Sequence, residues 1–393
     1  ATWVVLLVHF ASQGRHGFFN WPEEYRSPGN EAVSCFVDEH SEDVRFRAYL
    51  QWIASVQLGS ASKACSSHGM AIGLYSDLAV GVAGDSAERW VRPSLYGEGA
   101  TVGAPPDDFN LQGQDWGMPP PIPAAMERDG LRAFREVLAS TMSTSGAVRI
   151  DHVMALRRLY WVPHGESAAH GAYVLYPFDA MMAVTTLESA RRQCLVVGED
   201  LGVVPPEVTR ALRAARAYSY RILFFEQHGP GRFKGPDDFL SESITVASTH
   251  DLPTLKGFWE GRDLEIRDEL ELWPETKIRE EFFQARTEQR QGLLDALCAE
   301  GVWNGEKSAE KLGTLPQELA DAMLVYIARG KNELMAVQLE DVMGQREQVN
   351  LPGTVSEHPN WNRKLPKSFE SLRDDESRRA IFNRITEERR KGR

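Results

Sequence analysis

The chain has 393 residues, with 44 Lys and Arg against 56 Asp and Glu, a formal charge of −12. A net-negative surface is repelled on average by a phosphate backbone, which argues against general nucleic-acid binding. Hydrophobic residues at 42% and charged residues at 25% exclude bulk disorder, and the length suits two domains or one large barrel with insertions.

Near the N-terminus the apolar run Trp3–Val8 is far shorter than the ~20 residues of a membrane span, and no Lys or Arg precedes it. Cys35, Cys65, Cys194 and Cys298 are scattered, with no CxxC pair, so neither a disulfide framework nor a structural zinc site is expected. These features predict a cytoplasmic protein that needs no membrane.

Further along, short apolar runs that end in polar residues alternate with helical stretches. The runs are Met70–Asp77, Ala147–Asp151, Cys194–Asp200, Ser219–Glu226, Ile244–Asp251 and Met335–Asp341, with amphipathic stretches such as Asp179–Arg192 and Pro206–Ala217 between them. Strand alternating with helix predicts an α/β fold with a parallel sheet, and catalytic groups of a (β/α)8 barrel sit at the C-terminal ends of its strands. The segment Thr101–Pro123, rich in Gly and Pro with Phe109 and Trp116 embedded, reads as a long binding loop, because sugar rings stack on flat aromatics. Residues 263–313 read as a helical insertion, Val349–Trp361 as a second turn-rich loop, and 366–393 as a charged helix or tail with a solvated face.

Asp151, Glu199 and Asp251 each close a strand-like run, about fifty residues apart, and a βα unit takes about 30 residues. The spacing predicts Asp151 and Glu199 on neighbouring strands, with Asp251 two strands further on. Paired carboxylates are what a retaining glycosidase needs, one as nucleophile and one as proton donor. Arg149, two residues before Asp151, shares its strand face, and a cation there favours the ionised carboxylate. His152 and His250 stand beside these carboxylates as hydrogen-bond donors to sugar hydroxyls. For Asp200 and Asp341, capping of the following helix is an equally good reading. Nucleotide binding lacks a Walker A or GxGxxG sequence. Gly73–Asp77 is not a nucleophile elbow, and a Mg²⁺-dependent hydrolase is the weaker chemical rival.

RIDHVMALRRLYWVP (149–163), VVGEDLGVVP (196–205) and THDLPTLKGFW (249–259) resemble the 4-α-glucanotransferases of glycoside hydrolase family 77. So do GMAIGLYSDLAVGV (69–82), GAPPDDFNLQGQDWGMPP (103–120), SYRILFFE (219–226), QLEDVMG (338–344) and NLPGT with HPNW (350–361), in family order from about residue 51 to 361. The resemblance implies a (β/α)8 TIM-type barrel that transfers segments of α-1,4-glucans, such as maltodextrins, to glucose or glucan acceptors without cofactor or metal. It implies Asp151 as nucleophile, Glu199 as acid/base and Asp251 as the third carboxylate. Arg149 and His250 would flank the site, and Asp77 and Asn350 would contact sugar. Asp107, Phe109 and Trp116 would belong to an acceptor-side loop.

Residues 1–50 carry less of the family pattern, with only Phe19–Tyr25 similar to the lead-in to a barrel strand. Six strand-like runs fall short of the eight that close a barrel. Ala1–Phe10 is the expected substitute for one of them, and the chain is expected to be shortened at its N-terminus. An α-glucan hydrolase and an inactive glucan-binding remnant are the alternative readings.

Overall fold

The computed structural model describes residues 1–106, 112–354 and 356–391, which divide into two compact units, Ala1–Ala217 and Tyr218–Arg393. In the first unit the strands are β1 (Tyr75–Leu78), β2 (Ala100–Ala104), β3 (Gln114–Met118), β4 (Ala147–Ile150), β5 (Arg158–Pro163), β6 (Ala172–Leu175) and β7 (Leu195–Gly198). The second unit has β8 (Tyr218–Ile222), β9 (Gln227–Gly229), β10 (Arg232–Phe233), β11 (Ser243–Val246) and β12 (Leu334–Met335). Each of the six apolar runs read from the sequence overlaps one parallel strand, though β12 shares only Met335 with its run.

In the first unit β4 lies between β1 and β7, parallel to both and in register, so that Asp77 pairs with Arg149 and Ile150 with Gly198. All four β4 residues are buried, as expected of a central parallel strand covered on both faces. The connection from β4 to β7 includes the helix Phe178–Arg192, whose Met181, Met182 and Thr185 face inward. Leu138, Val148, Ile150, Val153, Val196 and Val208 belong to the same core. Gly146, just ahead of β4, is a steric requirement. A Cβ there would overlap the carbonyl oxygen of Ile72, and Gly146 N donates to the Leu74 carbonyl at 2.9 Å.

Two sequence expectations change in this unit. Ala1–Phe10 is no strand: Thr2–Ala11 is an α-helix, with Val5, Leu6 and Phe10 buried in a cluster with Phe18, Trp21, Phe36 and Trp90. An unbroken apolar run carries no periodicity with which to tell strand from helix. Thr101–Pro123 is not a continuous loop either. It contributes β2 and β3 to a four-stranded antiparallel sheet of order β3-β2-β5-β6. Gly103 allows this pairing, since a side chain there would collide with the backbone of Gln114. The helix Ser41–Ser67 buries none of its 27 residues and exposes Phe46, Tyr49, Trp52 and Val56.

The second unit has three parallel strands in the order β8-β11-β12. The segment 263–313 is mostly helical, as expected, with the helices Arg262–Glu269 (which starts one residue earlier), Thr276–Ala299 and Ala309–Leu312. The helix Gln317–Ala328 is apolar nearly all round and almost wholly buried, which is how a core helix reads. The C-terminal helix Glu376–Lys391 exposes most of its residues, with Arg378 and Ile381 buried, and side chains along it are tied to the rest of the second unit. Arg378 makes a two-pronged pair with Asp321 at 2.8 and 3.0 Å, and Arg389 donates to the carbonyls of Asn332 and Glu333 at 2.6 Å. Arg378 and Arg389 thus reach acceptors that are distant in sequence, which charge alone does not announce.

Gly146→Ala should lower the stability of the chain by about 3 kcal/mol, the scale of forced overpacking. A urea midpoint equal to wild type would show that β1 and β4 separate there at no cost.

Candidate active site

The register of the first unit dictates where its carboxylates emerge. Asp151 follows β4 and Glu199 follows β7, and the ladder continues past the strand ends. Asp151 N donates to Leu78 O, and Glu199 N donates to Ile150 O, each at 3.0 Å. Arg149 and Asp77, opposite each other on β4 and β1, point to the same side. Arg149 Nη1 donates to both Asp77 oxygens at 2.8 and 2.9 Å, and Nη2 meets Asp151 Oδ1 at 2.7 Å. The guanidinium side chain is only 9% exposed, whereas those of Asp151 and Asp77 are 33% and 48% exposed. A cation that has lost its water needs such partners. Arg149 is held above its ordinary range by Asp151 and Asp77 against the opposing effect of burial.

Glu199 sits in the contrasting surroundings, 8% exposed. Its Oε2 accepts from His152 N at 2.8 Å, and its Oε1 accepts from Leu201 N at 3.0 Å. Burial, reinforced by the negative charge of Asp151, pushes Glu199 up to about 7, against the pull of Arg149 and the two backbone donors. The His152 donor is aimed by backbone conformation: this residue has φ 43° and ψ 61°, in the left-handed region. Its imidazole is pushed down to about 4 by burial and by Arg158, so the ring is neutral. Trp116 packs edge-on against it at 5.4 Å between centroids.

In the second unit the turn after β11 carries His250 and Asp251. Asn350 Nδ2 donates to Asp251 Oδ1 at 2.6 Å, and Asn350 N donates to the His250 carbonyl at 3.1 Å. His250 Nε2 lies 3.1 Å from Asp251 Oδ2, and Trp361 stacks at a tilt on the His250 ring at 5.1 Å. The loop 349–361 thereby meets the Thr249-His-Asp motif, a long-range partnership that no local spacing announces. Trp361, 64% exposed, is a flat apolar surface beside these polar groups that the sequence did not single out. Its place in the HPNW motif was the available signal.

The structure thus groups Asp77, Arg149, Asp151, His152, Glu199 and Trp116 in one unit, and His250, Asp251 and Asn350 in the other. Asp107 and Phe109 lie outside the described residues. Among the described residues no three His, Cys, Asp or Glu side chains gather as a metal ion would require. All four cysteines are free thiols. Among the described residues no helix is long and apolar enough to cross a membrane.

The family described as 4-alpha-glucanotransferase, glycoside hydrolase family 77, matches residues 1–369, and the chain belongs to it. A 4-alpha-glucanotransferase of Haemophilus influenzae is 35% identical over 97% of this chain and 54% of its own length. One from Mycobacterium tuberculosis is 36% identical over 92% of this chain and 49% of its own length. The chain therefore spans about half the length of these relatives. Among solved structures, the amylomaltase of Corynebacterium glutamicum superimposes with a TM-score of 0.81 at 30% identity, over 89% of this chain and 50% of that one. An amylomaltase of Streptococcus agalactiae, solved with acarbose, gives 0.75 at 19% identity over 98% of this chain and 70% of that one, a likeness of fold. The fold class is the α/β, TIM-barrel type of the amylomaltases.

Glu199 binds its proton more tightly in the folded than in the unfolded chain. Its protonated form therefore favours folding at low pH, and that contribution is lost as pH rises through about 7. Glu199→Gln should gain on wild type by about 2 kcal/mol between pH 5 and pH 8 in denaturant unfolding. Parallel stability curves would show that Glu199 ionises as an ordinary carboxylate.

Proposed function

We propose that this chain transfers segments of α-1,4-glucans to glucose or glucan acceptors by a retaining double displacement. The observation that carries this reading is the contrast between two neighbouring carboxylates. Asp151 faces the Arg149 guanidinium, while Glu199 is buried and holds a proton near neutrality. Two acids whose surroundings drive them apart divide naturally into a nucleophile and a proton donor.

In the first step Glu199 protonates the glycosidic oxygen while Asp151 Oδ attacks C1. The reducing-end fragment leaves and a glycosyl ester forms on Asp151. In the second, Glu199 as carboxylate takes the proton from the 4-hydroxyl of an acceptor glucan, whose oxygen displaces Asp151 from C1. Two inversions give net retention. Asp251 takes the third-carboxylate role, binding sugar hydroxyls and favouring the oxocarbenium-like transition state, with Asn350 and His250 fixing its orientation. Asp77 reaches the sugar while paired with Arg149, and neutral His152 contributes a ring edge. Trp116 belongs to the acceptor side, a role the family resemblance also gives to Asp107 and Phe109, and a sugar bound there excludes water and turns hydrolysis into transfer. The bond chemistry needs only carboxylates, so no cofactor is required, and the four free thiols suit a reducing cytoplasm.

Maltotriose alone, incubated with the purified chain, should give glucose and a ladder of longer maltodextrins. Glucose and maltose without a ladder would mean a hydrolase, and a folded chain without turnover would mean a glucan-binding remnant. Asp151→Asn should abolish the trapped glycosyl ester seen by mass spectrometry; an ester persisting in this variant would refute the assignment. Turnover should fall as pH rises past about 7, where Glu199 loses its proton. Glu199→Gln should lower kcat by about 10³-fold.

A further inference from the structure

Asp341 is a buried acid that this mechanism does not use. It is 2% exposed and lies in the short helix Leu339–Val342. Its Oδ1 accepts from Leu255 N at 2.7 Å, and its Oδ2 has no hydrogen-bond partner among the described residues. Leu255 opens the helix Leu255–Glu260, four residues after Asp251. Asp341 thus caps a helix distant in sequence, not the one that follows it.

The tie is one of several between the same two segments. Thr254 Oγ1 donates to Gln345 O at 2.6 Å and accepts from Gly257 N at 3.0 Å. Gly257 permits the approach, because a Cβ there would press on the Arg346 carbonyl oxygen at 2.5 Å. Between the two ends, Ser248 Oγ donates to Pro253 O at 2.6 Å and Asp251 N to Thr249 Oγ1 at 3.2 Å, folding 248–254 into a tight turn. At the other end of the 338–350 segment, Asn350 binds His250 and Asp251. Asp251 is therefore mounted on a turn fixed at both ends by one partner strand of chain.

We propose that Asp341 is a positioning residue for Asp251: its buried carboxyl anchors the far end of the turn, and the Asn350–Asp251 hydrogen bond depends on that anchor. The inference rests on the role assigned above to Asp251. Burial pushes Asp341 up to about 7. A neutral acid is thus accessible near physiological pH, and asparagine is its closest mimic, keeping the Oδ1 acceptor without a charge.

The test compares wild type, Asp341→Ala and Asp341→Asn in the full chain. Amide hydrogen exchange over 249–257 and the Asn350 side-chain amide resonance read the geometry without catalysis; maltotriose kinetics read its consequence. Asp341→Ala should speed exchange at Leu255 at least tenfold, shift the Asn350 resonance, and lower kcat about tenfold to a hundredfold with KM within twofold. Asp341→Asn should restore all three to within about threefold. If Asp341→Ala does not fold, Thr254→Val, which removes the neighbouring tie, should move the same signals by less. Unchanged exchange and an unchanged Asn350 signal would overturn the proposal, as would an Asn variant as damaged as the Ala one. A wild type that turns over no maltotriose would fail the proposed function, leaving the exchange and resonance data to decide on Asp341.

Discussion

Burying the Arg149 guanidinium obliges the first unit to bring carboxylates to it. A charge removed from water is tolerated only when its donors are met, and Asp77 and Asp151 meet them from β1 and from the end of β4. The in-register parallel pairing of β1, β4 and β7 makes this possible, since a shift of one residue would turn Arg149 to the opposite face. The same register sets Glu199 at the adjacent strand end, where the negative charge of Asp151 helps keep it protonated. Strand register, ion pairing and the contrast between two acids are thus one constraint seen at three levels.

In the second unit the corresponding work is done by segments far apart in the chain. Arg346 pairs with Glu260 at 2.9 Å and with Glu265 at 2.7 Å, and Arg262 pairs with Glu347 at 2.9 Å. These half-exposed pairs each contribute modestly to stability, but as a network they hold the 338–350 segment against the helices that follow Asp251. The Phe258 ring adds a second layer, stacked on Phe224 at 3.9 Å and covered by the Arg286 guanidinium at 4.1 Å.

What the sequence made legible was local. Runs such as Ala147–Asp151 and Cys194–Asp200 announce buried strands because aliphatic residues dominate them up to the acids at their ends, with Arg149 the one charged residue inside the first, and regular βα spacing relates one strand end to the next. The Thr2–Ala11 helix was illegible for the opposite reason: an uninterrupted apolar stretch fits either period, and only its packing against Trp21 and Phe36 decides. The hairpin inside 101–123 was hidden by the glycines that allow its strands to approach. The partnerships of Asp341 and Arg378 were not legible because their partners, Leu255 and Asp321, lie far away in sequence. Burial of a charged group is a tertiary fact, and composition records only that the charge exists.

The left-handed backbone at His152 links the two carboxylates through the main chain. By bending there, the chain turns the amide of the residue after Asp151 onto Glu199 Oε2, so the segment that carries one acid directly solvates the other. This restricts sequence drift at residue 152 through its backbone, in addition to the part its ring plays beside the sugar. Glycine and asparagine fit that conformation, whereas valine, isoleucine and threonine do not, because their branched Cβ crowds the backbone at positive φ. Tolerance at residue 152 should therefore follow backbone shape more closely than side-chain polarity, an unusual signature for a histidine beside two acids.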